Sequence, residues 1–348
     1  MTFTWAGVLS DLVRGLDLPP DAAGWAMDQI LAGDATPVQV AGFAIALRAK
    51  GETVAELTGL ADAMLERATP IRLPSEAVDV VGSGGDRANT VNVSTMAAIV
   101  AAACGVPVVK HGNRAASSAC GTADCLEALG VAIDVPPSAQ ARVLADVGIV
   151  FLFAAMYHPS LRFASTARKE LGVPTTFNFL GPMANPARPS AQAVGVADAR
   201  MAPLVAGVIA GRGHRGLVFH GDDGLDELTT TTDSDVWLIR DGQVTKTRLD
   251  PAELGVAPAG RDDLVGADPA HNAGVVRSVL AGAPGAVRDI VALNAAAAQL
   301  AFAGPDLAVP LADQFVDPLQ RAYAAIDSGA AARVLDRWVD ATNAAKGA

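Results

Sequence analysis

The residues best suited to chemistry in this sequence cluster around glycine-rich runs that follow apolar pairs. The first run is Asp79-Val80-Val81-Gly82-Ser83-Gly84-Gly85-Asp86. A polar segment follows, Asn89-Thr90-Val91-Asn92-Val93-Ser94-Thr95, and then an apolar run from Met96 to Ala103. That order reads as strand, tight loop and helix. Glycine lets the backbone turn with positive φ and brings bare N–H groups close to a ligand. The helix start adds unpaired donors and the positive end of the dipole. Together they make an anion site, most naturally for phosphate. Taken alone, these residues fit a plain turn equally well. Two nucleotide loops are excluded. G-x-G-x-x-G from Gly82 needs glycine at position 87, where Arg87 stands, and no Gly-Lys-Ser/Thr follows four spacers.

A second run tips the balance. Lys110-His111-Gly112-Asn113-Arg114-Ala115-Ala116-Ser117-Ser118 follows the apolar stretch Val106–Val109. In a parallel sheet this places it at the same edge as the first loop. It offers an ammonium, a guanidinium, an imidazole, an amide and two hydroxyls, a set suited to charge-assisted bonds with phosphate. The pair Asp226-Glu227 also follows an apolar stretch, Leu217–His220. Carboxylates that face bound phosphates need Mg²⁺ between them; without the other loops the pair reads as a solvated acidic turn. Asp222 and Asp223 read as that turn. Arg168, near a helix end, is either a surface charge or the bidentate partner of a substrate carboxylate. His158 suits a pocket wall or a helix cap.

The elements that position these groups follow from the apolar spacing. Residues 1–70 read as helices. Asp21 caps one through Ile30. Thr36-Pro37 opens another that ends at Gly51, and Thr53 with Glu56 forms a capping box for the next. Arg48, Lys50, Glu52, Glu56 and Glu66 read as a solvated face. After a linker between Pro70 and Pro74 the pattern alternates strand and helix. Strands are expected at Val78–Val81, Val106–Val109, Ile149–Ala154 and Leu217–His220, with helices at Ser94–Cys104 and from near Thr122. Asp241-Gly242 between alternating runs predicts a hairpin. Residues 260–285 read as loop-rich. One helix is expected from Ala286 to Ala303 and another from Asp317 to Thr342. This is an α/β sheet with helices on both faces and ligands at the strand carboxyl ends.

Composition narrows the function. Of 348 residues, 51% are hydrophobic and 5% aromatic, which favours close helix–sheet packing over an aromatic-rich sandwich. The formal net charge of -11 argues against broad binding to nucleic acid or anionic membranes. Cys104, Cys120 and Cys125 lack metal-finger spacing and read as reduced thiols of a cytoplasmic protein. No signal peptide is evident, and no run reaches the ~18 apolar residues of a membrane helix.

GSGGD, NVST, KHGNRAASS, RKELG, FNFLGPMANP and GLDEL, in this order, resemble the anthranilate phosphoribosyltransferase family of tryptophan biosynthesis. QVAGFAIALRAKGET and ALNAAAAQLAFAG extend the likeness over nearly the whole chain. The resemblance implies an α/β class fold of nucleoside phosphorylase/phosphoribosyltransferase type: a small all-helical domain plus a large α/β domain with a mostly parallel central sheet. It places the helical domain at residues 1–72, with roughly 165–190 returning to it, and the α/β domain at 76–164 and 191–348. It implies a homodimer assembled through the helical domains. It implies phosphoribosyl pyrophosphate (PRPP) and anthranilate as substrates, and Mg²⁺, two ions per subunit, as cofactor. Gly82, Gly85 and Asp86 match PRPP contacts, as do Thr90, Asn92, Val93, Ser94, Thr95, the run Lys110 to Ser118, and Thr122. Gly82, Asn113 and Arg168 match anthranilate contacts, and Ser94, Asp226 and Glu227 match metal ligands. His111 is the one side chain suggested for proton transfer. Ser83, Thr122, Ala119, Cys120 and Ala155 depart from the usual family residues. The alternatives are a pyrimidine nucleoside phosphorylase-like enzyme and a non-catalytic nucleic-acid-binding relative.

Overall fold

The structure is a computed structural model that describes residues 2–115 and 119–346. The chain opens with helices α1 (Trp5–Val13), α2 (Pro20–Ala32), α3 (Pro37–Lys50) and α4 (Val54–Glu66). Thr36 and Gln39 form a capping box at α3, and Thr53 and Glu56 form one at α4, so orphan amides at both starts find partners. Helix α2 differs from expectation. It begins at Pro20 with Pro19 before it, and Asp21 sits in the first turn without capping anything.

The charged residues here are not all solvated. Glu56 is fully buried and accepts from the Leu18 N–H at 2.9 Å and from Lys50 Nζ at 3.0 Å. Glu52 is buried as well. It accepts from the Thr176 hydroxyl at 2.7 Å and lies 2.9 Å from Arg200. Leu18, Thr176 and Arg200 are distant in sequence, so helical spacing shows these acids on an outer face while the folded chain covers them.

Beyond the linker come β1 (Val78–Gly82), α5 (Val93–Ala103), β2 (Val108–Gly112), α6 (Thr122–Leu129), α7 (Pro137–Val147), β3 (Ile149–Phe153), α8 (Ala154–Tyr157), α9 (Arg162–Leu171) and α10 (Phe177–Leu180). Then follow β4 (Ala191–Gly195), α11 (Ala202–Gly211), β5 (Arg215–Gly221), β6 (Ser234–Arg240), β7 (Gln243–Leu249), α12 (Pro269–Leu280), α13 (Ala286–Ala303), α14 (Leu311–Asp327) and α15 (Ala330–Lys346). Among the described residues the strands form one sheet in the order β3-β2-β1-β4-β5-β6-β7, parallel through β5 and antiparallel beyond it. Helices cover both faces, α5 and α13 on one and α11 on the other. Helix α9 packs on α2 and α3, and Ala164, Ala167, Phe177, Phe179 and Leu180 share an apolar cluster with the first four helices.

Several elements depart from expectation. Strand β4 was not anticipated. Its residues AQAVG are all buried, but they carry one β-branched side chain among five. Strand β2 starts two residues later than Val106 and runs through Gly112, so Lys110 and His111 belong to a strand rather than a loop. A lysine inside a buried strand is readable only once its counter-charges are in place. Strand β3 ends at Phe153, one residue early, and β5 is longer than Leu217–His220. The stretch 260–285 contains α12, opened by Asp268, whose side chain accepts from the His271 N–H, and by Pro269 at the first helical position. The last helix is two, α14 and α15, parted at Gly329 with φ 70°. The hairpin is as expected, with Asp241 and Gly242 at φ 51° and 74°. Helix α13 is long and apolar enough to cross a membrane by length and composition; here it is packed against α5, α14 and the sheet.

Candidate active site

The carboxyl ends of β1 and β2 meet the loop after β5 around one cavity of about 330 Å³. The first loop is shaped by positive φ at Gly84 (68°), Gly85 (91°), Arg87 (59°) and Asn89 (52°). Two of these are not glycine, so the loop stores backbone strain, as ligand-facing loops often do. The Ser83 hydroxyl accepts from the Ala197 N–H at 3.0 Å, and the Gly84 N–H donates to Asp226 Oδ2 at 2.6 Å. Helix α5 starts beside this loop, and its Asn92 N-cap makes no side-chain cap bond.

The acidic pair reaches into the same space through two close approaches. A Cβ on Gly82 would stand 2.3 Å from Asp226 Oδ2, and one on Gly195 would stand 1.6 Å from the Asp226 carbonyl oxygen. Glycine at both positions lets the 221–233 loop lie on the ends of β1 and β4. Burial pushes the Asp226 carboxyl up to about 7, helped by the charge of Asp86. Burial and Asp226 likewise push Glu227 well above the usual carboxylate range, against a hydrogen bond from the Ser94 N–H. Asp86 is raised by burial too. Crowded carboxylates with raised affinity for protons are suited to a hard cation, and the Ser94 hydroxyl adds another oxygen. Among the described residues no group of three His, Cys, Asp or Glu side chains is arranged to hold a metal. Two carboxylates and a hydroxyl fit Mg²⁺, which keeps waters and takes phosphate oxygens from its substrate.

Lys110 was expected in a loop against phosphate. It is buried in β2 instead, and its Nζ donates to the Val80 carbonyl and to Ser94 Oγ, the latter at 3.2 Å. Burial lowers its affinity for the proton, while Asp79, Glu227 and Asp226 favour its charge. It is a counter-charge to the acidic pair and lines the cavity beside it. Asp79 is buried alongside, accepting from the His111 N–H at 3.1 Å and Asn185 Nδ2 at 2.9 Å.

His111 holds its ring between Gly181 and His158. Nδ1 lies 3.2 Å from the Gly181 carbonyl, which assigns the proton to Nδ1. Nε2 is buried and has no hydrogen-bond partner among the described residues. Burial pushes this imidazole down to about 3, so it is neutral with a free lone pair on Nε2. The His158 ring crosses it edge-on at 5.2 Å and lies 2.8 Å from the Ala184 carbonyl through Nε2. His158 is thus a cavity wall.

At the far end the cavity is apolar, with Met64, Ala154, Leu161, Phe177 and Pro182 in its lining. Arg168 stands there with its guanidinium 5.6 Å from the Phe177 ring centroid. It makes no ion pair or hydrogen bond through its side chain among the described residues, and burial lowers its affinity for the proton. A half-buried guanidinium beside an aromatic slot, unpaired among the described residues, has the charge and shape that suit a planar carboxylate.

The second loop is only partly as expected. Gly112, Asn113, Arg114, Ala115 and Thr122 line the cavity, as do Gly82, Gly85, Asp86, Thr90, Asn92, Val93 and Ser94. Arg114 is tied to Asp124 at 2.8 Å and Glu127 at 2.5 Å, so its charge is already matched. Thr95 does not line the cavity; it is fully buried. Ala116, Ser117 and Ser118 lie outside the described residues. Asp222 pairs with Arg248, and Asp223 accepts from Thr229 and Thr231, so both serve the turn. Met64, Leu161, Phe177 and Pro182 carried no chemical signal in the sequence, because only the fold brings them to the slot.

Residues 7–68 match the helical bundle domain of a glycosyl transferase family, and residues 74–332 match its a/b domain. The chain is 59% identical to anthranilate phosphoribosyltransferase of Acidothermus cellulolyticus over 346 residues, covering 99% of this chain and 97% of the relative. It superposes on the crystal structure of the Thermus thermophilus enzyme with a TM-score of 0.89 at 38% identity, covering 97% of this chain and 99% of the other. The Saccharomyces cerevisiae enzyme in complex with PRPP and Mg gives a TM-score of 0.87 at 26% identity, with 98% of each chain covered. Identity of this level along the whole length, on a shared fold, establishes that the chain belongs to the anthranilate phosphoribosyltransferase family.

Proposed function

We propose that this protein transfers the phosphoribosyl group of PRPP to the amine of anthranilate, giving N-(5-phosphoribosyl)anthranilate and pyrophosphate, the second step of tryptophan synthesis from chorismate. The observation that carries this reading is the polarity of the cavity. One end has glycine-loop amides, a helix N-terminus and crowded acids; the other has an aromatic slot and the unpaired Arg168.

Anthranilate enters the slot with its carboxylate on Arg168, while Gly82 and Asn113 face its amine side. PRPP lies along Gly82, Gly85, Asp86, Thr90, Asn92 to Ser94, Lys110 to Ala115 and Thr122. Asp226, Glu227 and Ser94 would hold Mg²⁺, which would supply positive charge to offset that of the pyrophosphate. Two ions per subunit are proposed on the resemblance to the family alone. The amine is neutral at pH 7, so its lone pair attacks ribose carbon 1 as the bond to pyrophosphate breaks. Attack from the opposite face inverts that carbon. The protein supplies positioning and fixed dipoles rather than a covalent intermediate. The nitrogen then sheds a proton, and the unpartnered Nε2 of His111 is the acceptor we propose.

The domain division proposed is 1–72 with roughly 165–190 as a helical body, and 76–164 with 191–348 as the α/β body. The apolar cluster joining Ala164–Leu180 to the first four helices supports it. A homodimer through the helical body is supported by exposed Val13, Leu16, Val38 and Ile45 on and beside α1 and α3. A cytoplasmic setting is proposed from the thiol chemistry. Nucleoside phosphorolysis and nucleic-acid binding are not favoured, since relatives matched along the full length carry the anthranilate name.

The test is the loss of anthranilate fluorescence on adding PRPP and Mg²⁺, with each component omitted in turn. Turnover without PRPP, or none with all three, would overturn the reading. Replacing Asp226 and Glu227 by their amides should raise the Mg²⁺ needed for half-maximal rate; an unchanged Mg²⁺ profile would remove them from the metal site. An unaltered kcat in His111→Ala would remove His111 from proton transfer.

A further inference from the structure

The first loop does not hold its own shape. Between Asn89 and Asn92 it is strapped to residues 264–266, a segment far away in sequence. The Val91 N–H donates to the Leu264 carbonyl at 2.9 Å, the Gly266 N–H to the Asn89 carbonyl at 2.8 Å, and Thr90 bridges Val265 in antiparallel fashion. Asn272, in the first turns of α12, stands behind this strap and is 1% exposed. Its Oδ1 accepts from the Ala267 N–H at 2.8 Å, and its Nδ2 donates to Asn92 Oδ1 at 2.9 Å. Asn92 in turn donates through Nδ2 to the Cys120 carbonyl, in the second loop, at 3.2 Å. One amide pair, Asn272 buried and Asn92 half-buried, therefore ties together the strap, the start of α5 and the second loop.

We propose that Asn272 is a positioning residue for the pyrophosphate end of the site, holding both phosphate-facing loops in one register through Asn92. It does not line the cavity, whereas Asn92, Thr90 and Cys120 do. The packing around it leaves no slack. A Cβ on Gly266 would stand 2.8 Å from Asn272 Oδ1 and 3.0 Å from the Thr90 carbonyl, so glycine is what lets the strap close over the amide. Arg168 and the aromatic slot share no hydrogen bond with this network. Its loss should therefore weaken PRPP and leave anthranilate alone. The inference rests on reading this end of the cavity as the PRPP site.

Two variants test it. Asn272→Asp keeps the shape and the acceptor for Ala267 but removes the donor to Asn92. Gly266→Ala keeps both asparagines but wedges the strap against the Asn272 amide, 2.8 Å from its Oδ1. Both should raise the KM for PRPP about tenfold, the effect of one buried hydrogen bond left unmade, with the KM for anthranilate nearly unchanged; the same lost bond lowers the unfolding midpoint modestly. Hydrogen exchange at the Val91 amide, which needs no turnover, should speed up in both. A merely structural role would lower the unfolding midpoint alone and leave the ratio of the two KM values as it was. An unchanged KM for PRPP in both variants, or an equal rise for both substrates, would overturn the proposal. If the unmodified enzyme showed no turnover with PRPP, the functional reading would fall, and the exchange rates would still judge the strap.

Discussion

Replacing Gly195 by alanine should disable the metal end of the site without unfolding the protein. The added Cβ would stand 1.6 Å from the Asp226 carbonyl oxygen, and ordinary contact begins near 3.4 Å, so one side must yield by about 1.8 Å. Strand β4 cannot be the one that moves. Gly195 pairs with Gly82 on one side and Phe219 on the other, and its carbonyl accepts from the Ser83 N–H at 2.9 Å. The 221–233 loop is the softer partner, and its displacement carries Asp226 and Glu227 with it. A shift of about 1 Å in a positioned group costs on the order of 10²-fold in rate. The expected result is a kcat/KM for PRPP lower by about 10²-fold, a higher Mg²⁺ requirement, and a near-native circular dichroism spectrum. Steady-state assays across a Mg²⁺ titration measure it. Near-native activity with an unshifted Mg²⁺ midpoint would show that the close approach of Asp226 to β4 does not matter to the site.

Other consequences are as specific. Arg168→Ala should raise the KM for anthranilate by roughly 10–100-fold, the range of a charge-assisted hydrogen bond, and barely affect PRPP; the reverse pattern would mean the two substrates are exchanged. His111 is neutral in the fold, with its pKa pushed down to about 3, but titrates near 6.5 when unfolded. Its contribution to stability is therefore complete above pH 6.5 and lost as pH falls towards 3. Between pH 7 and pH 5 the loss is 1.5 units at 1.36 kcal/mol each, about 2 kcal/mol. Asp79, pushed up to about 6, works the other way and gains stability over part of the same interval. The comparison to make is urea unfolding of His111→Gln and the parent at both values. The variant should lose about 2 kcal/mol less on acidification, and parallel curves would refute a buried neutral imidazole. Gly274→Ala, in the middle of α12 with open space where the methyl would go, should stabilise by about 1 kcal/mol; a lower unfolding midpoint would show that α12 is packed more tightly than described.

The elements legible in the sequence carry their cause within a few neighbouring residues. The helix of the Thr36-Pro37 start, the Thr53–Glu56 box, the Asp241-Gly242 hairpin and the Gly82–Asp86 loop running into α5 all follow from local torsional and hydrogen-bonding preferences. Helix α12 had such a signal in Asp268-Pro269, but His271, Asn272 and Gly274 broke the apolar rhythm. The inward amide, Asn272, is polar because its partners are a strap and a loop from elsewhere in the chain.

By itself the sequence determined the class of the fold, the family, and which loops gather at the cavity, because glycine placement, caps and motif order act locally or are shared along the whole chain. Only the tertiary structure decided the charge states and the uses of the polar groups. Lys110 is held buried in the cavity wall because Asp79, Asp226 and Glu227 surround it, Arg114 is drawn to Asp124 and Glu127, and Glu56 is buried because Leu18 covers it. Strand β4 escaped notice for the same reason. Burial and long-range pairing set the energy of a charged or weakly patterned residue, and neither is visible until the chain has closed on itself.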